Sequence, residues 1–363
     1  EDCQVLSVFT PSLTGRRPVM IWYHGGASIT GGGELPWYDG TRLAAEQDVV
    51  VVTVTARLGA LGFLVLDEAE GPSPATTDHL AAVDWVHRHI DQFGGDPDNI
   101  TVFGQSAGGY AIDVMMRWGL GSYVKGAIIQ SGFLSQESIR YRHEDVVEQA
   151  AAFTALLGHD PRSASVADLL AGQTAFAEHV GAVEIWAPVR PDSEKPVSIP
   201  VVAGWTRHDT LPFILLKNGQ SAPRPEDFEL LHDQVHLQNT VDVVTGNHRI
   251  LDEAVAHGTK AWHYEFAWQV PASGWGSPHC MGLPFLLGDH EAWRAAPMLS
   301  GADWDSIDRR GRHLRSAWAS FARNRDPGDE WVQHDPVTRA VTQLNDPALL
   351  AMQMAQVCDP AAF

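Results

Sequence analysis

Ile100-Thr-Val-Phe-Gly104-Gln-Ser106-Ala-Gly-Gly109 is the stretch on which the reading of this chain turns. Ile100–Phe103 is β-branched and aromatic, as buried strands are, while Gly109–Arg117 can continue as a helix. Between them Gly104-Gln-Ser-Ala-Gly108 matches G-x-S-x-G. Two glycines there allow a turn sharp enough to carry a serine, in a strained backbone conformation, from strand into helix with its hydroxyl exposed above the sheet. Strand, turn and helix in that order make Ser106 the candidate nucleophile. Gly219-Gln-Ser-Ala-Pro223 repeats four of the letters but ends in proline and lacks a preceding strand, so Ser221 is read as a loop residue.

Outward from this turn, apolar strand-like runs alternate with helix-like periodic ones. Strands are expected at Val19–Tyr23, Val49–Thr55, Ile100–Phe103 and Gly126–Ile129. Thr77–Phe93 places Leu80, Val83, Trp85, Val86 and Ile90 near one helix face, with Asp78 near its start. Alternation of this kind predicts βαβ units, hence an α/β fold with a mostly parallel sheet. Residues 135–197 turn helical and alanine-rich, which predicts an inserted helical cap. Strands return at Ile199–Gly204 and Ala261–Trp268, a helix at Ser306–Arg323 and a short strand at Ala340–Leu344. No repeat or low-complexity linker interrupts the chain, and residues 1–363 are expected to form one domain.

Composition narrows the function. With 45 acidic against 25 basic residues, the formal charge of −20 repels phosphate backbones and acidic lipid surfaces, so nucleic acid is not an expected partner. The same field mildly favours neutral or cationic small molecules over anions. Apolar runs are far shorter than the roughly 20 residues a membrane helix needs. Cys3, Cys280 and Cys358 form neither a disulfide framework nor a metal-ligand spacing, so no metal and no cofactor is expected. The chain opens at Glu1 without an apolar signal region, and a cytoplasmic location is the expectation.

A second glycine turn, His24-Gly25-Gly26-Ala27, follows the expected strand Val19–Tyr23. Such a turn can bring backbone N–H groups close to an oxygen that becomes negative during acyl transfer. A serine hydroxyl is a poor nucleophile at neutral pH, so a histidine has to take its proton and a carboxylate has to orient that histidine. Seventeen histidines compete for the role.

The chain resembles the type-B carboxylesterase and cholinesterase family. The resemblance runs through Glu1-Asp-Cys3, Pro18-Val-Met-Ile-Trp-Tyr-His-Gly-Gly26, Arg57-Leu-Gly-Ala-Leu-Gly-Phe63, Phe93-Gly-Gly-Asp-Pro97 and Gln105-Ser-Ala-Gly-Gly109. It continues through Gln130-Ser-Gly132, His279–Gly288 and Trp318-Ala-Ser-Phe-Ala322, so it covers nearly the whole chain. It implies the α/β-hydrolase fold and ester hydrolysis by two-step acyl transfer on small neutral esters. By position it implies oxyanion donors at the backbone of Gly26, Ala27 and Ala107, where Ala27 replaces a glycine of many relatives. His279, ahead of a Leu-Pro-aromatic turn, is implied as the base. Asp209 in Trp205-Thr-Arg-His-Asp209 stands where relatives usually carry glutamate, and is preferred over Asp192, Glu194 or Glu253 as the acid. Ser131 matches a family serine that hydrogen-bonds the acid.

His208 is read as a surface loop residue and Cys280 as packed. Relatives usually carry several tens of residues before Glu-Asp-Cys, forming a small leading sheet and a partner for the cysteine, so Cys3 is expected to be unpaired. Spans of 103 positions from Ser106 to Asp209 and 70 from Asp209 to His279 are short for the family. A shallow pocket is therefore expected, with Gly25, Trp205, Phe133, Phe213 and Phe285 as candidate lining. Carbamate, amide or thioester hydrolysis would use the same groups. A non-catalytic binding module of the same fold is the rival from another class.

Overall fold

The computed structural model describes residues 2–66, 71–134, 143–180, 186, 188–224 and 226–344. Eight strands form one sheet in the order β1-β3-β2-β4-β5-β6-β7-β8. They are β1 Val5–Phe9, β2 Arg17–Tyr23, β3 Val50–Thr55, β4 Gly95–Gln105, β5 Val124–Gln130, β6 Val201–Thr206, β7 Ala261–Phe266 and β8 Thr342–Leu344. Only β1, at the edge, runs antiparallel to its neighbour; the other pairs are parallel. The mostly parallel α/β sheet is thus as expected, and β1 is added to it. Its run Val-Leu-Ser-Val-Phe is half exposed, with Val5 48% exposed, so it lacks the continuous apolar signature of the central strands.

Those central strands read as unbroken apolar runs because both faces of the sheet are covered. Met20 and Trp22 of β2 join Phe103, Ile128, Val202 and Trp262 in a core closed by the helix Trp304–Asn324. Val19, Ile21 and Tyr23 point the other way, into a core with Val52, Val102, Ile129, Val83 and Val86. The last two belong to the helix Pro74–His89, which starts three residues before the expected Thr77. Its start is set by Ser73, whose hydroxyl accepts from the Thr76 N–H, and by proline at the first turn.

Helices His143–Leu157 and Val166–Val180 occupy part of the expected cap span; residues 135–142, 181–185 and 187 of that span lie outside the described residues. Phe153 packs edge to face against both Phe176 and Trp186, and the three lie on the short helix Gly59–Phe63. Beyond them Arg190 donates to Asp113, inside the helix Ala107–Trp118, at 2.7 Å. Asp113 is fully buried, which alone would raise its pKa, but Arg190, Arg249 and Arg117 around it drive it far down instead. Glu194 and Glu253 complete this network by pairing with Arg190 and Arg117. Cys3 and Cys280 are free thiols, and Cys358 lies outside the described residues. Among the described residues no helix is long and apolar enough to cross a membrane.

Several histidines are held neutral by this packing. Burial is the main cause in each case, and it pushes His79, His208 and His248 down to about 4 and His263 well below the usual value. His263, on β7, has no partner for either ring nitrogen among the described residues. An unfolded chain takes up these protons near pH 6.5, whereas the folded one refuses them. Stability is therefore expected to be full above about pH 6.5 and to fall as the pH drops toward 4. The slope should be about 1.4 kcal/mol per pH unit for each histidine protonated only when unfolded. Urea unfolding at pH 7.5, 6 and 5 checks this; an unchanged unfolding free energy across that range contradicts it.

Candidate active site

β4 ends at Gln105 and the helix Ala107–Trp118 begins two residues later, leaving Ser106 alone at the turn with φ 57° and ψ −127°. A non-glycine residue tolerates that conformation only where its surroundings enforce it. They do so through contacts that exclude side chains. A Cβ on Gly108 would lie 2.0 Å from the Tyr23 carbonyl oxygen, and one on Gly104 would lie 2.8 Å from Gly108. On the β2 side, a Cβ on Gly25 would meet the Gln105 side chain at 2.8 Å and Ser106 Cβ at 2.9 Å. Ser106 N–H donates to the Gln130 carbonyl at 2.9 Å, which ties the turn to β5.

The turn after β2 carries three consecutive positive φ values: Gly26 at 121°, Ala27 at 53° and Ser28 at 62°. Gly26 is required there, since a Cβ would sit 2.1 Å from the Thr30 carbonyl oxygen. Ala27 and Ser28 line one cavity of about 250 Å³ together with Ser106, Ala107 and Gly132. Phe133, Phe213, Trp186 and Ile214 supply apolar wall to the same cavity. Gly25, Trp205 and Phe285 of the expected lining are not part of it. Trp205 packs on His263, and Phe285, 1% exposed, packs between Phe266 and Trp268 in the core. Side chains alternate across a strand and pack beneath loops, which letters alone do not orient.

Asp209 lies in the turn between β6 and the helix Leu211–Lys217, and is fully buried. Its Oδ2 accepts from the Thr206 N–H at 2.9 Å, and its Oδ1 lies 2.5 Å from His279 Nδ1. The three rival carboxylates are not near this imidazole's bond: Glu194 and Glu253 are held by arginines and Asp192 is exposed. Phe133 and Phe213 pack edge-on to the His279 ring, with centroids 5.3 and 5.1 Å away. On the ring's far side Gln105 Nε2 approaches His279 Nε2 to 2.9 Å. The same atom lies 3.5 Å from Nδ1, so the amide sits over the ring face; the proton is on Nδ1 because the Asp209 carboxylate there can only accept. The Ser106 hydroxyl itself makes no hydrogen bond to His279 here.

Two readings from sequence are corrected. Ser131 is engaged through its backbone, its N–H donating to the Gly204 carbonyl at 2.8 Å, and its hydroxyl makes no bond to Asp209. With φ 49° at the end of β5, it turns the chain at this point. His208 is not a surface loop residue but is half-buried and clamps the loop bearing His279. Its backbone N–H donates to the Ser277 carbonyl at 2.8 Å, while its Nδ1 accepts from the Ser277 N–H at 2.9 Å. Ser277 also donates to the Phe266 carbonyl at 2.8 Å, which fixes the loop to the end of β7. Cys280 packs against the core, and burial, with the Asp209 charge as a lesser cause, pushes its thiol up to about 12. Sequence analysis missed Gln105 and His208 as neighbours of this site, although each adjoins a residue that it did single out.

Known proteins resemble the chain along most of its length. A sequence profile described as the carboxylesterase family matches residues 1–221. A probable N-octanoylanthranilate hydrolase of Rhodococcus erythropolis is 31% identical, over 95% of this chain and 82% of that protein. The para-nitrobenzyl esterase of Bacillus subtilis is 30% identical over 96% of this chain and 81% of its own. Among solved structures, a thermophilic PNB esterase superposes with a TM-score of 0.81 at 26% identity, covering 99% of this chain and 82% of the other.

The contact of Gly108 with the Tyr23 carbonyl gives a direct test. Gly108→Ala should destabilise the protein by about 3 kcal/mol or more, because the obstructing atom is backbone and cannot rotate away. A thermal or urea midpoint unchanged from the native protein would refute this packing.

Proposed function

The chain belongs to the carboxylesterase family and is a carboxylic-ester hydrolase, and from that premise we propose that it works by two-step acyl transfer at Ser106. The observation that carries the reading is the pairing of a strained Ser106 at the head of the cavity with a buried Asp209 that holds Nδ1 of His279. His279, with its Nε2 lone pair free to accept, takes the Ser106 proton as Oγ attacks the ester carbonyl. The cation so formed is stabilised by Asp209, which lies in contact with it and away from solvent. Backbone N–H groups of Gly26, Ala27 and Ala107 receive the charge on the tetrahedral oxygen. His279 then returns the proton to the leaving alcohol, and water releases the acid by the same route.

Gln105 rests its amide nitrogen over the His279 ring face, 2.9 Å from Nε2 and 3.5 Å from Nδ1, and so holds the imidazole in place while its in-plane lone pair stays open to Ser106. Amides, carbamates and thioesters present the same acyl carbon, and the relative named as an N-octanoylanthranilate hydrolase puts N-acyl compounds on the substrate panel.

On a short-chain 4-nitrophenyl ester at pH 7.5, Ser106→Ala should lower kcat/KM by at least about 10³ and His279→Ala by about 10² to 10⁴, with folding intact. Turnover by Ser106→Ala equal to the native enzyme would refute the assignment. Gln105→Glu would place a carboxylate against the imidazole and favour its cation, so the neutral base appears only at higher pH. The acid limb of kcat/KM should move up by about one pH unit. A profile superimposable on that of the native enzyme would exclude direct contact in the working state.

A further inference from the structure

Three polar residues of the cavity lining lie on one stretch of helix. Gln234, Gln238 and Asp242 recur every fourth position, so they form one stripe facing the space that Ser106 also faces. Asp242 sits where the helix widens into a π turn, Thr240–Val244, between the α-helices His232–Asn239 and Thr245–Ala256. The Thr245 N–H closes the wide turn on the Thr240 carbonyl, and its hydroxyl donates to the same oxygen at 2.7 Å. Such turns strain a helix and are frequent at functional sites, where they re-aim a side chain.

Asp242 is half-buried and accepts one hydrogen bond, from Gln238 Nε2 to Oδ2 at 2.7 Å. Among the described residues no lysine, arginine or histidine forms an ion pair with it. Its one possible rival in the lining is Lys217, which is exposed at the last turn of the helix Leu211–Lys217 and can carry its ammonium outward on an apolar stem. The other lining residues are uncharged. A half-buried carboxylate without a cation is costly unless something else supplies one.

We propose that Asp242 sets substrate preference: the cavity favours esters whose acyl or alcohol part carries a protonated amine, its N–H donating to the Asp242 carboxylate while the scissile carbonyl lies at Ser106. The proposal rests on the acyl-transfer reading above and names a substrate class for it. Burial raises the carboxyl pKa of Asp242, Gln238 works against that, and the charge of Asp209 adds to it. A bound ammonium offsets both the burial and the repulsion. The formal charge of −20 also draws cations toward the protein and not anions.

Two isosteric pairs test this at pH 7. One is 2-(dimethylamino)ethyl acetate against 3-methylbutyl acetate, followed by acid release. The other is 4-nitrophenyl 6-aminohexanoate against 4-nitrophenyl heptanoate. The readout is the ratio of kcat/KM, cationic over neutral, within each enzyme, which cancels general damage from a substitution. In the native enzyme at least one pair should favour the cation by about tenfold, the value of one charge-assisted hydrogen bond. Asp242→Asn should bring that ratio close to one, Asp242→Glu should keep part of it, and Lys217→Met should raise it. Native ratios close to one in both pairs, or a ratio kept by Asp242→Asn, overturn the proposal. Hydrolysis of neither member of either pair, with Ser106→Ala indistinguishable from the native protein, removes the acyl-transfer reading itself and this proposal with it.

Discussion

Everything at the Ser106 end of the sheet depends on the close approach of two backbones. β2 and β4 run parallel with Tyr23 opposite Gly104, and the helix after Ser106 turns back so tightly that Gly108 touches the Tyr23 carbonyl. No side chain fits between them. That contact sets the angle at which Ser106 leaves the sheet, and it sets the distance from Ser106 to the turn Gly26-Ala27 that follows β2. The candidate oxyanion donors and the candidate nucleophile therefore come from neighbouring strands whose spacing is fixed by what glycine leaves out.

Two buried aspartates show how one residue type is put to different uses by its partners. Asp113 is surrounded by three guanidinium groups, and its role is to bind the segment around Arg190 to the helix behind Ser106. Its charge is fully engaged in the resting protein. Asp209 has one backbone N–H and one imidazole as partners. A carboxylate so lightly compensated still gains when that imidazole becomes a cation, which is what a proton taken from Ser106 would make it.

Much of this was legible in the letters. The G-x-S-x-G turn, the alternation of strand and helix, and the candidates Asp209 and His279 each rest on a local pattern or on a segment shared with relatives. What escaped was set by three-dimensional packing. β1 is short, half-exposed and held by its neighbour β3, so its own residues carry little signal. Trp205 and Phe285 are aromatics near site residues in sequence, yet one packs on His263 and the other lies in the core. Ser131 was assigned a hydroxyl bond, whereas its backbone does the work. His208 and Gln105 act through contacts 69 and 174 positions away, to Ser277 and His279, and spacing cannot reveal those.

The sheet's connectivity has a further consequence for how the molecule comes into being. Ser106 leaves β4, Asp209 leaves β6, and His279 follows β7, whose pairing with β6 joins Val201 to Ala261 and Thr206 to Phe266. Parallel neighbours form only after the chain between them has crossed over, and such long-range pairings are slow to assemble. A growing chain holds the serine long before it holds the imidazole, and even then the two do not meet until the β6–β7 edge has closed. If these three residues act together as proposed, catalytic competence arrives late and as a unit, and the first moment of turnover on a refolding clock marks the docking of the sheet's second half.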